Sequence, residues 1–217
     1  MSRRVVNLTL DNLADLPTRC RRCVFWELDP VAGEAAEEAG DIELEKEAWL
    51  SATLLEWGSC GKIAYTDTVP AGYLTYAPPV HVPRSLAFPT SPVSGDAVLL
   101  MTAGVLAEFA GAGLGRMLVQ TAAKDLTRRG VRAIEAFGLA AAPGTSIEPG
   151  VPPTGRPGCL VPADFLLAVG FKTVRPHHRF PRLRLDLRTA VSWRADVEVA
   201  LERLLGSMNP EPAFRPV

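Results

Sequence analysis

The sequence contains few cysteines and no long apolar run. Its four cysteines, Cys20, Cys23, Cys60 and Cys159, are too few and too scattered for a disulfide framework. No apolar stretch approaches the roughly 20 residues that a membrane-spanning helix needs. The amino terminus also has no apolar stretch of signal-peptide length before its first acidic residue. We therefore expect a cytoplasmic protein in a reducing compartment, without a membrane partner.

An excess of charge of either sign is also missing. Lysine and arginine total 23 against 24 aspartate and glutamate residues, and the formal net charge is -1 at pH 7. This balance does not favour nucleic acid as a partner, so small molecules or proteins are expected. With 47% hydrophobic residues, the chain can close one core. We expect one domain over residues 1–217, with a carboxyl-terminal helix and tail at 189–217, and a homodimer stays open.

Hydrophobic periodicity divides the first part of the chain into strands and one long helix. Residues 42–57 have apolar side chains at helical spacing and end at Gly58, which predicts a helix. Residues 34–40 are acidic and rich in alanine, and we expect them to be mobile. A turn is expected at 70–72. Four segments have the composition of strands: 4–10, 24–28, 60–67 and 71–77.

The middle of the chain has the clearest pattern. Residues 97–106 are almost all apolar, which is typical of a central strand covered on both faces. A glycine turn follows at 111–115, and from Leu114 apolar residues recur at helical spacing until Gly130. Further segments are predicted as a strand at 132–137, a long loop at 139–161, a helix at 162–169, an alternating strand at 182–188 and a helix around 197–204.

Three glycines, Gly111, Gly113 and Gly115, stand at alternate positions where the buried strand meets the helix. Because they carry no side chains, a ligand can approach the backbone closely. Free N–H groups and the positive end of the helix dipole then make an anion site suited to a pyrophosphate, to which Arg116 adds a cation. The alternative is that the glycines only permit a tight turn and close helix packing.

Three kinds of phosphate-binding turn compete for this segment. A nucleoside triphosphatase loop needs Lys followed by Ser or Thr after its last glycine, whereas Arg116 and Met117 stand there. A dinucleotide-binding turn of an oxidoreductase has GxGxxG spacing, which is absent, although Glu135 lies at a suitable distance to hold a ribose. The late position of the turn in the chain also argues against that fold. The third kind is a coenzyme A turn.

Residues 97–171 resemble the core of the GNAT superfamily of acetyltransferases, whose motif is Gln/Arg-x-x-Gly-x-Gly/Ala at the start of a helix. Positions 110–115 match that spacing, with Ala110 in place of glutamine or arginine. The flanking pairs Glu108-Phe109 and Gly170-Phe171 also match. The CxxC at 20–23, followed by Val-Phe-Trp-Glu, is similar to a bacterial sub-group and implies that 20–27 borders the acceptor. The resemblance implies an α/β (α+β) fold with a central mixed, mostly antiparallel sheet and helices on both faces.

The same resemblance implies acetyl-CoA as the cosubstrate, held in a wedge between the strands 97–106 and 132–137. An amine of a small molecule or protein would attack the thioester directly, without a covalent enzyme intermediate. A backbone N–H near Val105 would polarise the thioester carbonyl. The implied cofactor-binding residues, for the pantetheine arm and then the pyrophosphate, are Ala103, Gly104, Val105, Gly111, Ala112, Gly113, Leu114, Gly115 and Arg116.

Transfer to an amine requires a group that accepts its proton and a donor for the departing thiolate. The family's usual donor is a tyrosine four residues before the Gly-Phe, and Leu166 stands there. Cys159 is the candidate near the sulfur, with a small buried hydrophobe as the alternative. Glu27, Glu108 and Glu135 are candidate bases. Glu135 lies in an apolar strand, where a carboxylate either faces solvent or is held for a purpose.

Other interpretations stay open. The missing tyrosine and Ala110 favour a non-catalytic acyl-CoA binding or sensing domain. Cys20 and Cys23 have the spacing of half a zinc site, but no second pair exists, and we predict no metal. The arginines of 182–188 form either a solvated strand surface or a contact for an acidic substrate.

Overall fold

The structure is a computed structural model that describes residues 2–140 and 159–187. Within these residues the chain forms eight strands and five α-helices. The strands are β1 (Arg3–Asn7), β2 (Gly61–Thr66), β3 (Val69–Ala77), β4 (Ala97–Val105), β5 (Ala133–Leu139), β6 (Val161–Pro162), β7 (Lys172–Arg175) and β8 (Arg182–Asp186). The helices are α1 (Thr18–Arg21), α2 (Pro30–Ala39), α3 (Ile42–Glu56), α4 (Leu114–Arg128) and α5 (Ala163–Ala168). The predicted helix at 197–204, the tail and most of the loop 139–161 lie outside the described residues.

The strands form one mixed sheet in the order β1-β2-β3-β4-β5-β8-β7, and β6 pairs with β5. The pairs β4 with β5 and β5 with β6 are parallel, and the other pairs are antiparallel. This arrangement confirms the predicted fold class. The parallel pair β4 and β5 needs a crossover, which α4 supplies.

Helices cover both faces of the sheet because side chains alternate along the strands. On β2, Ala64 joins a core with Leu118 of α4 and Leu166 of α5. Its neighbours Ile63 and Tyr65 join a different core, which contains Leu50 of α3 and Cys20 of α1. The helices α4 and α5 therefore lie on one face, and α1 and α3 lie on the other.

The predicted strand at 24–28 is wrong, because these residues form a turn after α1. Trp26 is 2% exposed and stacks on Phe88 and Phe137, with ring centroids 5.2 and 6.4 Å apart respectively. The aromatic composition that resembled a strand thus serves a stacked core, which a turn can fill equally well.

The segment 34–40, expected to be mobile, belongs to the helix α2. Asp29 caps this helix by accepting the N–H groups of Val31 and Ala32, and Pro30 occupies its first turn. Gly40 ends it in the left-handed conformation, at φ 81°.

The predicted hairpin of β2 and β3 is confirmed, but its turn lies earlier than 70–72. Residues 67 and 68 form the turn, where Asp67 takes a φ of 55°. Over the residues that the structure describes, no helix is both long and apolar enough to cross a membrane.

Candidate active site

The strands β4 and β5 separate after a short parallel contact. Their pairing runs from Ala97 with Ala133 to Leu99 with Glu135 and then stops. Beyond that point β5 turns to another partner, and its Gly138 pairs with Val161 of β6. The end of β4 remains paired with β3 along one edge, while its other edge has separated from β5. A wedge therefore opens between β4 and β5, where the sequence predicts one.

A bulge in β4 lies at the start of this wedge. Thr75 of β3 faces Thr102, whereas the next residue, Tyr76, faces Leu100, so Met101 is an extra residue in β4. A bulge bends its strand and increases the local twist. The extra residue therefore accounts for the divergence of β4 from β5, and apolar composition alone gave no sign of it.

Two glycines of the turn adopt a backbone conformation with positive φ. Gly111 and Gly113 have φ values of 75° and 77°, a region that other residues rarely adopt. A Cβ atom at either position would meet nothing within 4 Å, so the space beside the turn is open. Gly113 also precedes α4 without a capping side chain.

The N–H groups at the start of α4 are available to an anion. The first helical turn closes with Met117 N–H donating to the carbonyl of Gly113 at 3.1 Å. The N–H groups of Gly115 and Arg116 precede that bond and have no acceptor within the helix. These free N–H groups and the dipole of a 15-residue helix both favour a negatively charged group at this position.

Gly115 has a different role. A Cβ atom there would lie 3.0 Å from Cε2 of Phe165, so this glycine lets α4 and α5 approach closely. The three glycines thus have different structural roles: Gly111 and Gly113 shape the turn, and Gly115 permits helix packing.

Two arginines adjoin the glycine turn. Arg116 is exposed and donates from Nη2 to the carbonyl of Ala168, at the end of α5, at 2.8 Å. Arg3 of β1 donates from Nη1 to the carbonyl of Ala112 at 2.8 Å. Arg3 is 109 residues from its partner, and no local pattern in the sequence could have indicated it. The structure thus places a second cation at the turn.

Glu135 lies in a buried ion cluster between β5 and β8. Its side chain is 1% exposed and accepts from Nη1 of Arg182 at 2.6 Å and from Nη1 of Arg184 at 3.2 Å. The N–H of Ser94 donates to it at 3.1 Å. Two guanidinium groups and one backbone N–H thus hold the carboxylate of Glu135 in place. Of the two roles left open for the arginines of 182–188, a solvated surface does not apply to Arg182 and Arg184, which form ion pairs with the buried Glu135.

Glu27 lies in a second buried cluster, on the face of α1 and α3. It forms an ion pair with Lys46 of α3, whose Nζ also donates to the carbonyl of Cys23 at 3.0 Å. Burial acts to lower the pKa of Lys46, but the charge of Glu27 and its hydrogen bond outweigh burial, and the pKa is raised. Lys46 therefore stays protonated beside Glu27.

Cys159 belongs to the same cluster as Glu27. Its Sγ lies 3.1 Å from Sγ of Cys23, and its carbonyl accepts the indole N–H of Trp26 at 3.0 Å. The hydrogen bond to Cys23, together with burial, raises the pKa of Cys159 far above its ordinary value. The structure thus brings together two of the three predicted catalytic residues, Glu27 and Cys159, and places Glu135 elsewhere.

The CxxC segment does not gather its thiols at one point. Cys23 contacts Cys159, whereas Sγ of Cys20 lies 2.7 Å from the hydroxyl of Tyr73 on β3. Within residues 2–140 and 159–187, no group of three or more His, Cys, Asp or Glu side chains has a geometry that would hold a metal.

The sequence model of the acetyltransferase (GNAT) family matches residues 20–142, which is more than half of the chain. The chain belongs to the GNAT family of acetyltransferases. The match includes the wedge, the glycine turn and all of α4. It confirms the resemblance and assigns the chain to a family of enzymes.

Solved GNAT structures share the fold. PaiA N-acetyltransferase from Thermoplasma acidophilum, in complex with coenzyme A, is 12% identical with a TM-score of 0.52, over 86% of this chain and 99% of that one. The loading GNATL domain of CurA from Lyngbya majuscula is 16% identical with a TM-score of 0.51, over 87% and 100%. An N-acetyltransferase from Staphylococcus aureus Mu50 is 11% identical with a TM-score of 0.50, over 86% and 99%. No curated protein matches the chain.

The position of the GNAT donor tyrosine is part of the core in this chain. Leu166 of α5 is fully buried and packs with Leu118 and Phe171. A phenol, Tyr73, does lie beside β4 on the other face. A Cβ atom at Gly104 would be 3.0 Å from Cε1 of Tyr73 and 3.1 Å from its hydroxyl. Burial, with the charge and hydrogen bond of Cys20, raises the pKa of Tyr73, so its proton is retained.

Proposed function

We propose that the protein is an N-acetyltransferase that transfers the acetyl group of acetyl-CoA to an amine by direct attack. The observation that carries this proposal is the combination of the open edge of β4 with the glycine turn of α4. Both features follow one another along the chain, and a ligand that fits them must have an extended polar arm and an adjoining diphosphate. Coenzyme A has both.

The pantetheine arm is proposed to lie along Ala103–Val105. Beyond Leu99 the edge of β4 that faces β5 has no strand partner among the described residues, so its N–H and C=O groups are available to amide groups of a ligand. The diphosphate then lies at Gly111–Arg116, where the N–H groups and the helix dipole favour negative charge. Arg3 and Arg116 adjoin this turn.

The amine is proposed to approach from the face of α1 and α3, where the cluster of Glu27 and Cys159 lies. Glu27 is the stronger candidate for accepting the amine proton, because Glu135 is held by two guanidinium groups and a backbone N–H. Cys159 and Tyr73 are the candidate donors to the thiolate of coenzyme A, because each carries a proton on the face from which the amine is proposed to approach.

The decisive experiment compares Gly113→Glu with Gly130→Glu. Both glycines have positive φ, 77° and 79°, and both have open space around them, but they lie at opposite ends of α4. The two variants therefore carry the same backbone strain and the same added charge. Calorimetric titration with coenzyme A is expected to show a loss of affinity on the order of 100-fold for Gly113→Glu alone. Equal affinities of the two variants would refute the proposed site.

A non-catalytic acyl-CoA sensor is the second candidate, because Leu166 is buried where a GNAT enzyme usually has its donor. The two functions differ in whether free thiol is released. The protein is incubated with acetyl-CoA and a panel of primary amines, and released coenzyme A is measured with a thiol reagent. Turnover on a panel member supports the enzyme, whereas tight binding of acetyl-CoA without turnover on any member supports the sensor.

A further inference from the structure

Two cysteines that are distant in sequence meet beside the proposed acceptor face. Sγ of Cys23 and Sγ of Cys159 are 3.1 Å apart, although 136 residues separate them in the chain. Both residues are partly exposed, so a small solute can reach them. The neighbouring Cys20 is buried at 8% exposure and directs its sulfur to Tyr73. Cys23 therefore pairs across the fold rather than with the other cysteine of its CxxC segment.

The two sulfurs differ in their readiness to ionise. The hydrogen bond from Cys159, which outweighs the opposing effect of burial, lowers the pKa of Cys23 to about 7. The charge of Lys46 acts in the same direction. The same hydrogen bond raises the pKa of Cys159. At neutral pH a partly ionised Cys23 therefore lies beside a protonated Cys159, which is the arrangement of an attacking and a resolving cysteine.

We propose that Cys23 and Cys159 form a redox pair that a hydroperoxide converts into a disulfide. The proposal does not depend on acetyl transfer. The thiolate of Cys23 attacks one peroxide oxygen, the O–O bond breaks, and Cys23 becomes a sulfenic acid while hydroxide leaves. The sulfur of Cys159 then attacks that of Cys23, the S–O bond breaks, and the departing hydroxide takes the proton of Cys159. Two thiols lose two electrons in total, and hydrogen peroxide is reduced to two water molecules.

The disulfide would join two parts of the proposed acceptor side. Cys23 follows α1, and Cys159 precedes β6, the strand that pairs with β5 across the wedge from β4. Because the sulfurs are already in contact, the bond requires only a small displacement of two side chains. The pair is therefore a modification site for peroxides, next to the proposed acceptor side.

Peptide mapping of the wild-type protein tests the proposal without any variant. The protein is treated with hydrogen peroxide, alkylated without reductant and cleaved with trypsin. Cleavage after Arg19, Arg21 and Arg22 separates Cys20 from Cys23, so the cross-linked peptides identify the partner directly. We expect a peptide beginning at Cys23 joined to the peptide that contains Cys159. A link between Cys20 and Cys23, or a link between two copies of the chain, overturns the proposal.

Thiol titration under denaturing conditions measures the number of free thiols per chain. The four thiols are expected to fall to two after peroxide and to return to four after dithiothreitol. Cys23→Ser and Cys159→Ser should each retain three thiols after peroxide, whereas the matched control Cys60→Ser should lose two of its three. Retention of all four thiols by the wild type, or a loss that dithiothreitol does not reverse, contradicts a disulfide.

Discussion

The two buried glutamates, Glu27 and Glu135, show how environment distinguishes residues of the same type. Each is paired with a cation, but Glu27 has Lys46 and Glu135 has Arg182, Arg184 and a backbone N–H. An ammonium is a single point charge, whereas two guanidinium groups occupy most acceptor positions of a carboxylate. The carboxylate of Glu27 therefore has fewer hydrogen-bond donors around it than the carboxylate of Glu135.

We predict that Glu27→Gln lowers kcat by about 100-fold or more, because it removes the proton acceptor and keeps the shape of the side chain. Glu135→Gln is the matched control, since it also neutralises a buried carboxylate. Steady-state kinetics over a pH series, with circular dichroism to check folding, measures the effect. The assignment is wrong if Glu135→Gln loses kcat as strongly as Glu27→Gln while remaining folded.

Cys23 supplies a second test at the scale of single residues. Because its pKa is lowered to about 7 while that of Cys60 is raised to about 12, alkylation should discriminate sharply between them. We expect iodoacetamide to modify Cys23 half-maximally near pH 7 and to leave Cys60 unmodified in the folded protein. Mass spectrometry of the peptides gives the rate at which each of the two cysteines is modified. Half-maximal modification of Cys23 above pH 8.5, the ordinary range of a cysteine, would show that the hydrogen bond from Cys159 is absent in solution.

At this scale the sequence offers candidate catalytic residues, but it does not indicate which of them meet. Glu27 and Cys159 are candidates on separate grounds, and the structure links them through Lys46 and Cys23, a connection that no spacing in the sequence indicates. The bond of Arg3 to the glycine turn is of the same kind. Such contacts depend on the order of strands in the sheet, which brings distant segments together.

At the scale of elements, α4 is anchored to the sheet by a buried charge pair. Lys62 of β2 is 5% exposed in its side chain and donates to Oδ2 of Asp125 at 2.9 Å. Burial acts to raise the pKa of Asp125, but the hydrogen bond and charge of Lys62 outweigh it, and the charge of Arg129 also favours the carboxylate. The pKa of Asp125 is therefore lowered.

The lowered pKa of Asp125 determines how the stability of the fold changes with pH. Since the folded protein holds the proton of Asp125 less tightly than the unfolded chain, the pair stabilises the fold above about pH 4 and is lost as the pH falls further. Asp125→Asn should lower the free energy of unfolding by about 1.5–3 kcal/mol at pH 6 and by less below pH 4. Urea denaturation at both pH values measures the free energy of unfolding. Glu47→Gln, a substitution of an exposed residue, is the control. If Asp125→Asn lowered the free energy of unfolding equally at both pH values, the loss would come from packing and not from the charge pair.

Elements were predicted well where periodicity was strong and poorly where aromatic composition was ambiguous. The predicted segments for α3, β4 and α4 are confirmed, because one apolar pattern extends over most of each element. The signals for α2 were present in Asp29, Pro30 and Gly40, but the acidic composition of 34–40 outweighed them. Residues 24–28 resemble a strand by composition alone, whereas the ring of Trp26 is buried by stacking rather than by strand pairing.

At the scale of the whole molecule, ligand binding and stability are linked. A ligand that binds only the folded protein stabilises it by about 2.7 kcal/mol at a concentration 100 times its Kd. We expect acetyl-CoA to raise the melting temperature of the wild type and of Gly130→Glu, and to have little effect on Gly113→Glu. Differential scanning fluorimetry measures these shifts. A larger shift with NAD than with coenzyme A would instead favour a dinucleotide site.

The family and fold class could be predicted because the apolar strand, the glycine turn and the amphipathic helix are contiguous in sequence. The wedge was predicted only through the resemblance, since the extra residue Met101 that diverts β4 has no local signature. The proposed acceptor side combines α1, α3 and the segment before β6, and such an assembly of distant segments cannot be read from spacing.

The cluster of Glu135 with its two arginines also constrains how the protein can change over evolutionary time. Arg184 is 18% exposed in its side chain and has Asp96 and Asp186 as other partners, so a lineage can replace it and keep Glu135 paired with Arg182. If Glu135 were lost first, the guanidinium of Arg182, whose side chain is 10% exposed, would be left without its carboxylate partner. Among descendants of this sequence, Glu135 and Arg182 are therefore expected to be inherited or exchanged together, with changes at Arg184 coming earlier.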